Sequence, residues 1–210
     1  MLATPGDLPV GPEWVYEVEW DGLRVLAEVV DGGLRLITLE GQDVTPCFPE
    51  LAGLTHLVPD VVLDGTVVLL TRGLPDAEAL AARLRGVPPG PHATLMLSDI
   101  LRLYGVELHD RPQDERRATL ERLDLGRVPG VVLSPVYTDG PALRAAAVAR
   151  GLPGVLAKRR DAPYRAGPTT TWVRVDGADP DGGGRATAGR AGLTMPEQRG
   201  ARPPEPRGRA

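Results

Sequence analysis

Three segments of this sequence, residues 16–24, 62–68 and 151–176, carry the side chains best suited to chemistry. The first two each contain an Asp-Gly pair close to further polar residues. The third contains Lys158, the single lysine among 24 basic residues. A lysine amine can act as a nucleophile, and carboxylates hold metals or ribose hydroxyls. Taken alone, each segment also has an ordinary interpretation, because Asp-Gly is typical of hairpin turns and Lys-Arg-Arg of a solvated patch.

Hydrophobic periodicity predicts the elements that position these segments. The predicted strands are 14–20, 23–30, 34–39, 61–70, 94–103, 131–136, 154–159 and 171–175. The predicted helices are 48–57, 75–84, 113–123 and 142–150, the last with Asp139 as its N-cap and Gly151 at its C-terminal end. Strands and helices do not alternate as βαβ units. The sequence therefore predicts an α+β fold of largely antiparallel sheets with flanking helices.

Composition excludes several classes of protein. The chain has 210 residues, of which 42% are hydrophobic and 25% charged, as in ordinary globular proteins. Its apolar runs fall short of the ~20 residues of a transmembrane helix, and its start lacks a secretory signal. Cys47 is the single cysteine, and His56, His92 and His109 have no metal-ligand spacing. We expect a cytoplasmic protein with no membrane partner.

Charge divides the chain into two parts. Residues 182–210 hold six arginines against two glutamates, whereas residues 1–181 hold 18 basic and 26 acidic groups. We expect one domain over residues 1–176 and a disordered Gly/Pro/Arg-rich tail over residues 177–210. The acidic body argues against the basic surface of a duplex-binding protein. The tail arginines either contact a nucleic-acid backbone or belong to a solvated linker, and composition favours the linker.

Taken together, in this order and at this spacing, the segments resemble the adenylation (nucleotidyltransferase) domain of ATP-dependent DNA ligases, of the bacterial ligase-D-like type. The strongest match is residues 154–165, and residues 41–45 and 48–51 also follow the family. The resemblance implies an ATP-grasp-like nucleotidyltransferase fold, ATP and magnesium as ligands, and a role with DNA in repair. Since mRNA-capping enzymes share this fold, GTP also stays open as the nucleotide.

Four positions that match the family are the predicted nucleotide-binding residues. By resemblance, Glu17 reads the adenine amino group, Arg24 lies near the ribose and phosphates, and Lys158 contacts the α-phosphate. Arg174 keeps a positive charge at the first of the last two lysine positions of the family. Asp64 and Asp99 also persist, either as site residues or as holders of turns and strands.

The nucleophile position departs from the family. Such ligases carry a lysine two residues before Asp-Gly, which forms a covalent lysyl-AMP; here that residue is Glu19. A carboxylate forms no phosphoramidate. Its negative charge would also lie beside the phosphates of ATP, and one such like-charge pair at about 4 Å costs on the order of 4 kcal/mol at an effective dielectric near 20. Other positions at which the family carries a different residue are Leu39 (arginine), Thr66 (glutamate), Ser98 (aromatic), Pro153 (glutamate) and Asp176 (lysine).

These losses favour a catalytically inactive pseudo-ligase without catalytic residues, which retains at most nucleotide or partner binding. An active ligase, with an OB-fold domain supplied by another chain, and a scaffold without nucleotide function are the alternatives, and the protein binds neither ATP nor magnesium in the last case. The expected partners are DNA, DNA-repair proteins, an active ligase or an OB-fold protein. We further expect Glu19 to pair with Arg24 and Lys158 and so to fill the ATP pocket.

Overall fold

The computed structural model describes residues 1–56, 59–87 and 90–177, which form two β-sheets and three α-helices. The strands are β1 (Leu2–Pro5), β2 (Trp14–Glu19), β3 (Leu23–Val30), β4 (Gly33–Thr38), β5 (Val61–Thr71), β6 (Leu74–Pro75), β7 (Ala93–Leu103), β8 (Val106–Glu107), β9 (Val131–Leu133), β10 (Gly154–Arg159) and β11 (Pro168–Asp176). The α-helices are α1 (Ala77–Leu84), α2 (Gln113–Glu121) and α3 (Gly140–Ala149), and 3₁₀ helices span Thr45–Cys47, Pro49–His56 and Leu125–Arg127. No helix of the described residues is both long and apolar enough to cross a membrane.

Both sheets are largely antiparallel. The first has the strand order β1-β11-β10-β2, in which only the β1–β11 pair is parallel. The second has the order β4-β3-β5-β7-β8, with β9 added parallel to β7 and β6 antiparallel to β5. Helix α1 packs against β5, α2 against β7, and α3 against β10 and β2. The prediction of an α+β fold with flanking helices is confirmed.

Alternation along the strands builds the two hydrophobic cores. In β3, Val25, Ala27 and Val29 are fully buried, while the residues between them are partly exposed. This period of two follows from the pleat of a strand, which points successive side chains to opposite faces. These three residues belong to the larger core, on the second sheet. The smaller core joins Tyr16 of β2 to Leu143 of α3.

The two Asp-Gly pairs have roles that differ from a hairpin turn. Residues 20–22 carry the chain from β2 in the first sheet to β3 in the second. A Cβ on Gly22 would lie 2.4 Å from the carbonyl oxygen of Val67, so glycine is required by this close approach. The second pair, residues 64–65, lies within the continuous strand β5, at a shift of its register with β7. Such a shift is typical of a β-bulge.

The predicted helix over residues 48–57 is instead a 3₁₀ helix, Pro49–His56. Gly53 lies in its middle, and glycine costs an α-helix about 1 kcal/mol relative to alanine. Residue 57 lies outside the described residues.

Capping side chains place the starts of two predicted helices. The helix predicted over residues 75–84 begins at Ala77, because the Asp76 carboxylate accepts a hydrogen bond from the Ala79 amide at 2.9 Å. Residue 75 belongs to β6 instead. Asp139 is confirmed as the N-cap of α3, which begins two residues earlier than predicted.

The strand prediction misses the shortest elements. β1, β6 and β8 have four, two and two residues, too few for alternation to reveal them. The strand predicted over residues 131–136 ends at Leu133, and the one predicted over 171–175 extends over Pro168–Asp176. The tail predicted from residue 177 lies, from residue 178 onward, outside the described residues.

Candidate functional site

A cavity of about 290 Å³ lies between the two sheets and collects most of the residues singled out from the sequence. The first sheet contributes Glu17, Glu19, Leu156, Trp172 and Arg174. The second sheet contributes Arg24, Thr66, Met96 and Ser98. Three of the four predicted nucleotide-binding residues therefore line one cavity, and Lys158 contacts it indirectly through Glu17.

Arg24 is held at the cavity wall by a buried carboxylate. Its Nε and Nη2 donate to Asp64 Oδ1 and Oδ2 at 3.0 and 2.5 Å, and Asp64 is fully buried. The Tyr164 hydroxyl donates to the same Oδ2 at 2.8 Å. Burial alone would raise the pKa of Asp64, but its hydrogen bonds to Arg24, the positive charge of Arg24 and the bond from Tyr164 outweigh burial and lower it. Arg24 Nη1 also donates to the carbonyl oxygen of Met1 at 2.5 Å, so each nitrogen of the guanidinium already has a partner.

Lys158 is bound in the same way on the first sheet. Its Nζ donates to Glu17 Oε1 at 2.7 Å, with both side chains buried. The two residues lie on the neighbouring strands β10 and β2, and the ammonium also lies 4.3 Å from the ring centroid of Trp172. The carboxylate and the aromatic ring together hold the Lys158 side chain in place, by an ion pair and by a cation–π contact.

Glu19 faces the cavity with a weaker partner. Its Oε1 lies 4.0 Å from Arg174 Nε, and that arginine also lies 3.6 Å from Asp176. Burial raises the pKa of Glu19, Arg174 opposes this shift, and the charges of Asp176 and Asp21 add to it. The Glu19 side chain is 23% exposed, so it keeps some contact with solvent.

The expected pairing of Glu19 with Arg24 and Lys158 is wrong. Arg24 pairs with Asp64 and Lys158 pairs with Glu17, and both of these carboxylates are more deeply buried than Glu19. A buried carboxylate gains more from a cation than a partly solvated one, since water screens it less. The cavity therefore stays open.

The two aspartates retained from the family, Asp64 and Asp99, are both paired with arginines. The described parts of the chain contain no group of three or more histidine, cysteine or acidic side chains able to hold a metal. Asp64 is bound to Arg24, and Asp99 is fully buried and bound by Arg116 at 2.8 Å through both of its oxygens. Asp99 thus joins β7 to α2. Of the two roles that the sequence left open for Asp99, this contact corresponds to holding a strand in place.

The sequence analysis named Arg24, Thr66 and Ser98 of the second sheet but missed Met96. In β7, Leu95 and Leu97 enter the larger core, whereas Met96 and Ser98 line the cavity. The alternation of that strand contains this signal, because a strand buried on both faces must place every second residue against something other than its main core. Ser134 lines the cavity from the segment after β9, and no pattern marks it.

A sequence model of the ATP dependent DNA ligase domain matches residues 8–175. The chain belongs to the ATP-dependent DNA ligase family. It is an adenylation domain of the ligase-D type, as its relatives show. A multifunctional non-homologous end joining protein LigD of Pseudomonas aeruginosa is 34% identical over 181 residues, which are 83% of this chain and 21% of that protein. The LigD of Mycobacterium tuberculosis, strain H37Rv, is 35% identical over 182 residues, or 83% and 23% of the two chains.

Solved ligases have the same fold. A mycobacterial DNA ligase D complexed with ATP and MES superposes with a TM-score of 0.72 at 31% identity, over 83% of this chain and 58% of that one. This ligase-family chain spans about a fifth to a quarter of the length of the LigD proteins that it matches. The comparisons thus establish the family and the fold of residues 8–175.

Proposed function

We propose that this ligase-family domain does not adenylate itself and instead acts as a binding module in DNA repair. The observation that carries the proposal is Glu19, which lines the cavity at the position where the family's nucleophilic lysine is expected. The single lysine of the chain, Lys158, is buried and bound to Glu17. No other lysine amine is available to take the place of the nucleophile.

The chemistry of the carboxylate explains the loss. Lysyl-AMP forms when an uncharged amine attacks the α-phosphorus of ATP and pyrophosphate leaves with the electrons of the broken P–O bond. The same attack by the Glu19 carboxylate would form a mixed anhydride, which water cleaves. Its negative charge also lies where phosphate charge would accumulate, and such a pair costs on the order of 4 kcal/mol at about 4 Å.

Binding is the role that the remaining features support. The cavity between the sheets is open, and Arg24 and Arg174 line it. One structural neighbour is complexed with ATP, and the sequence relatives are named for non-homologous end joining. We assign the binding module to residues 1–176. Its partners are DNA, DNA-repair proteins, an OB-fold protein or an active ligase, and it acts in the cytoplasm.

Intact-mass spectrometry tests the loss of self-adenylation. The full chain is incubated with ATP and magnesium, then weighed under native and under denaturing conditions. We expect no gain of one AMP that survives denaturation. Such a gain would contradict the proposal and show that the chain contains another nucleophile. The same measurement on a Lys158→Gln variant would then show whether Lys158 is the adenylated residue.

The Glu19→Lys variant is a sharper version of the same test. It restores the missing amine, but Thr66, Pro153 and Asp176 still differ from the family. We therefore expect no efficient self-adenylation of Glu19→Lys in the same mass measurement. Rapid, complete adenylation of this single variant would show that the other differences have little effect.

A further inference from the structure

Each cation at the cavity is already bound to a carboxylate. Arg24 forms an ion pair with Asp64, and the nearby Lys158 forms one with Glu17. Arg174 Nε lies 4.0 Å from Glu19 Oε1. A ligand phosphate would have to compete with a carboxylate for its cation. Arg24 and Lys158 would resist this most, because removing their partners leaves a buried charge without compensation.

The charged side chains that line the cavity balance one another. Glu17 and Glu19 are the lining carboxylates, and Arg24 and Arg174 are the lining cations. Each of these two cations already has a carboxylate partner. A triphosphate would bring several negative charges to a partly enclosed space whose lining cations are already paired, and water screens such charges little there.

The polar groups suit an uncharged ligand that donates hydrogen bonds. The carboxylate oxygens of Glu17 and Glu19 accept hydrogen bonds, and hydroxyl or amino groups satisfy them where phosphate oxygens do not. Ser98 and Ser134 add hydroxyl groups to the wall. The buried indole N–H of Trp172, a residue of the lining, has no acceptor among the described residues.

The size and the apolar walls suit a nucleoside. The volume of about 290 Å³ is near the lower end of the roughly 300–1,000 Å³ of small-molecule sites. Leu39, Met96 and Leu156 supply apolar surface for a flat ring. We propose that the cavity takes an uncharged purine nucleoside in preference to a nucleoside triphosphate, an inference that rests on the proposed loss of self-adenylation.

Isothermal titration calorimetry of the full chain with adenosine and with ATP tests this preference, with and without magnesium. We expect adenosine to bind at least about tenfold more tightly than ATP, since like charges oppose the triphosphate. Equal or tighter binding of ATP would overturn the inference while leaving the absence of self-adenylation intact. Failure of adenosine to bind would also overturn it. A covalent AMP adduct in the mass measurement would overturn the proposed function itself.

Two variants with the same change in net charge locate the cause. Leu39→Arg adds one cation at a rim residue that is 50% exposed, so the fold is expected to tolerate it. Glu78→Gln removes one anion from the exposed face of α1, away from the cavity. We expect Leu39→Arg to shift the ratio of ATP to adenosine affinity toward ATP by about fivefold or more, and Glu78→Gln to leave it unchanged. An equal shift in both variants, or none in Leu39→Arg, would contradict local control by the charge of the cavity.

Discussion

Asp64 shows how one buried side chain supports the wall of the cavity. Replacing it by asparagine keeps its size but leaves the Arg24 guanidinium without its counter-charge. Because removal of one partner of a buried ion pair is costly, we expect Asp64→Asn to lower the free energy of unfolding by about 3 kcal/mol. Urea denaturation at pH 7 measures this change. The carboxylate of Asp110 is exposed and pairs with Arg165. The control variant Asp110→Asn should therefore change the free energy of unfolding little.

The effect of Asp64→Asn on the free energy of unfolding should depend on pH. The pKa of Asp64 is lower in the folded protein than in the unfolded chain, where it is about 3.9. The stability from this carboxylate is therefore fully present above about pH 4 and is lost as the pH falls through its folded pKa. The difference between wild type and Asp64→Asn should shrink in acid. A difference that stays constant down to pH 3 would show that the charge of Asp64 does not stabilise the fold.

At the scale of elements, β2 and β10 are joined by the buried pair of Glu17 and Lys158. We expect Lys158→Met to cost about 3–5 kcal/mol of unfolding free energy, because Glu17 then lies buried without a partner. The double variant Glu17→Leu/Lys158→Met should recover most of this loss, since apolar replacement of a buried pair is often neutral. Chemical denaturation of the wild type, Glu17→Leu, Lys158→Met and the double variant gives the coupling energy between the two side chains.

The exposed pair of Arg159 and Asp161 is the control for that cycle. Arg159 follows Lys158 on β10, but its side chain is 47% exposed. We expect Arg159→Met to have little effect on the unfolding free energy, as solvent screens such pairs. Destabilisation equal to that of Lys158→Met would mean that any cation on this strand matters, whether buried or not.

The elements were predictable to different degrees. Alternation predicted β2 and β3, because the face buried in a core must be apolar at every second position. The apolar, β-branched run of residues 61–70 predicted β5. The partner of Arg24, 40 residues away, was not predictable, and neither was the partner of Lys158, 141 residues away. The periodicity of one segment does not show which distant strand that segment contacts. The four candidate residues thus came from the resemblance and their pairing only from the three-dimensional structure.

On the scale of the whole molecule, the charge is divided between an acidic body and a basic tail. Residues 1–181 hold 26 acidic and 18 basic groups, and residues 182–210 hold six arginines. We expect the replacement of those arginines by glutamine to leave the affinity of the full chain for duplex DNA unchanged, in accordance with a solvated linker. Electrophoretic mobility shifts at low and moderate salt measure it. Loss of a salt-dependent complex in the variant would instead assign DNA-backbone contacts to the tail.

The cavity has one wall from each sheet, and the two walls meet through the tightly packed connection at Gly22. The cavity exists only while the two sheets are packed together, so a molecule bound in it stabilises the folded state. Occupancy raises the free energy of unfolding by RT ln(1 + [L]/Kd), where L is the molecule and Kd its dissociation constant. A thermal melt is therefore a direct assay for the natural occupant, and a library of metabolites can be ranked by the melting temperature that each one confers.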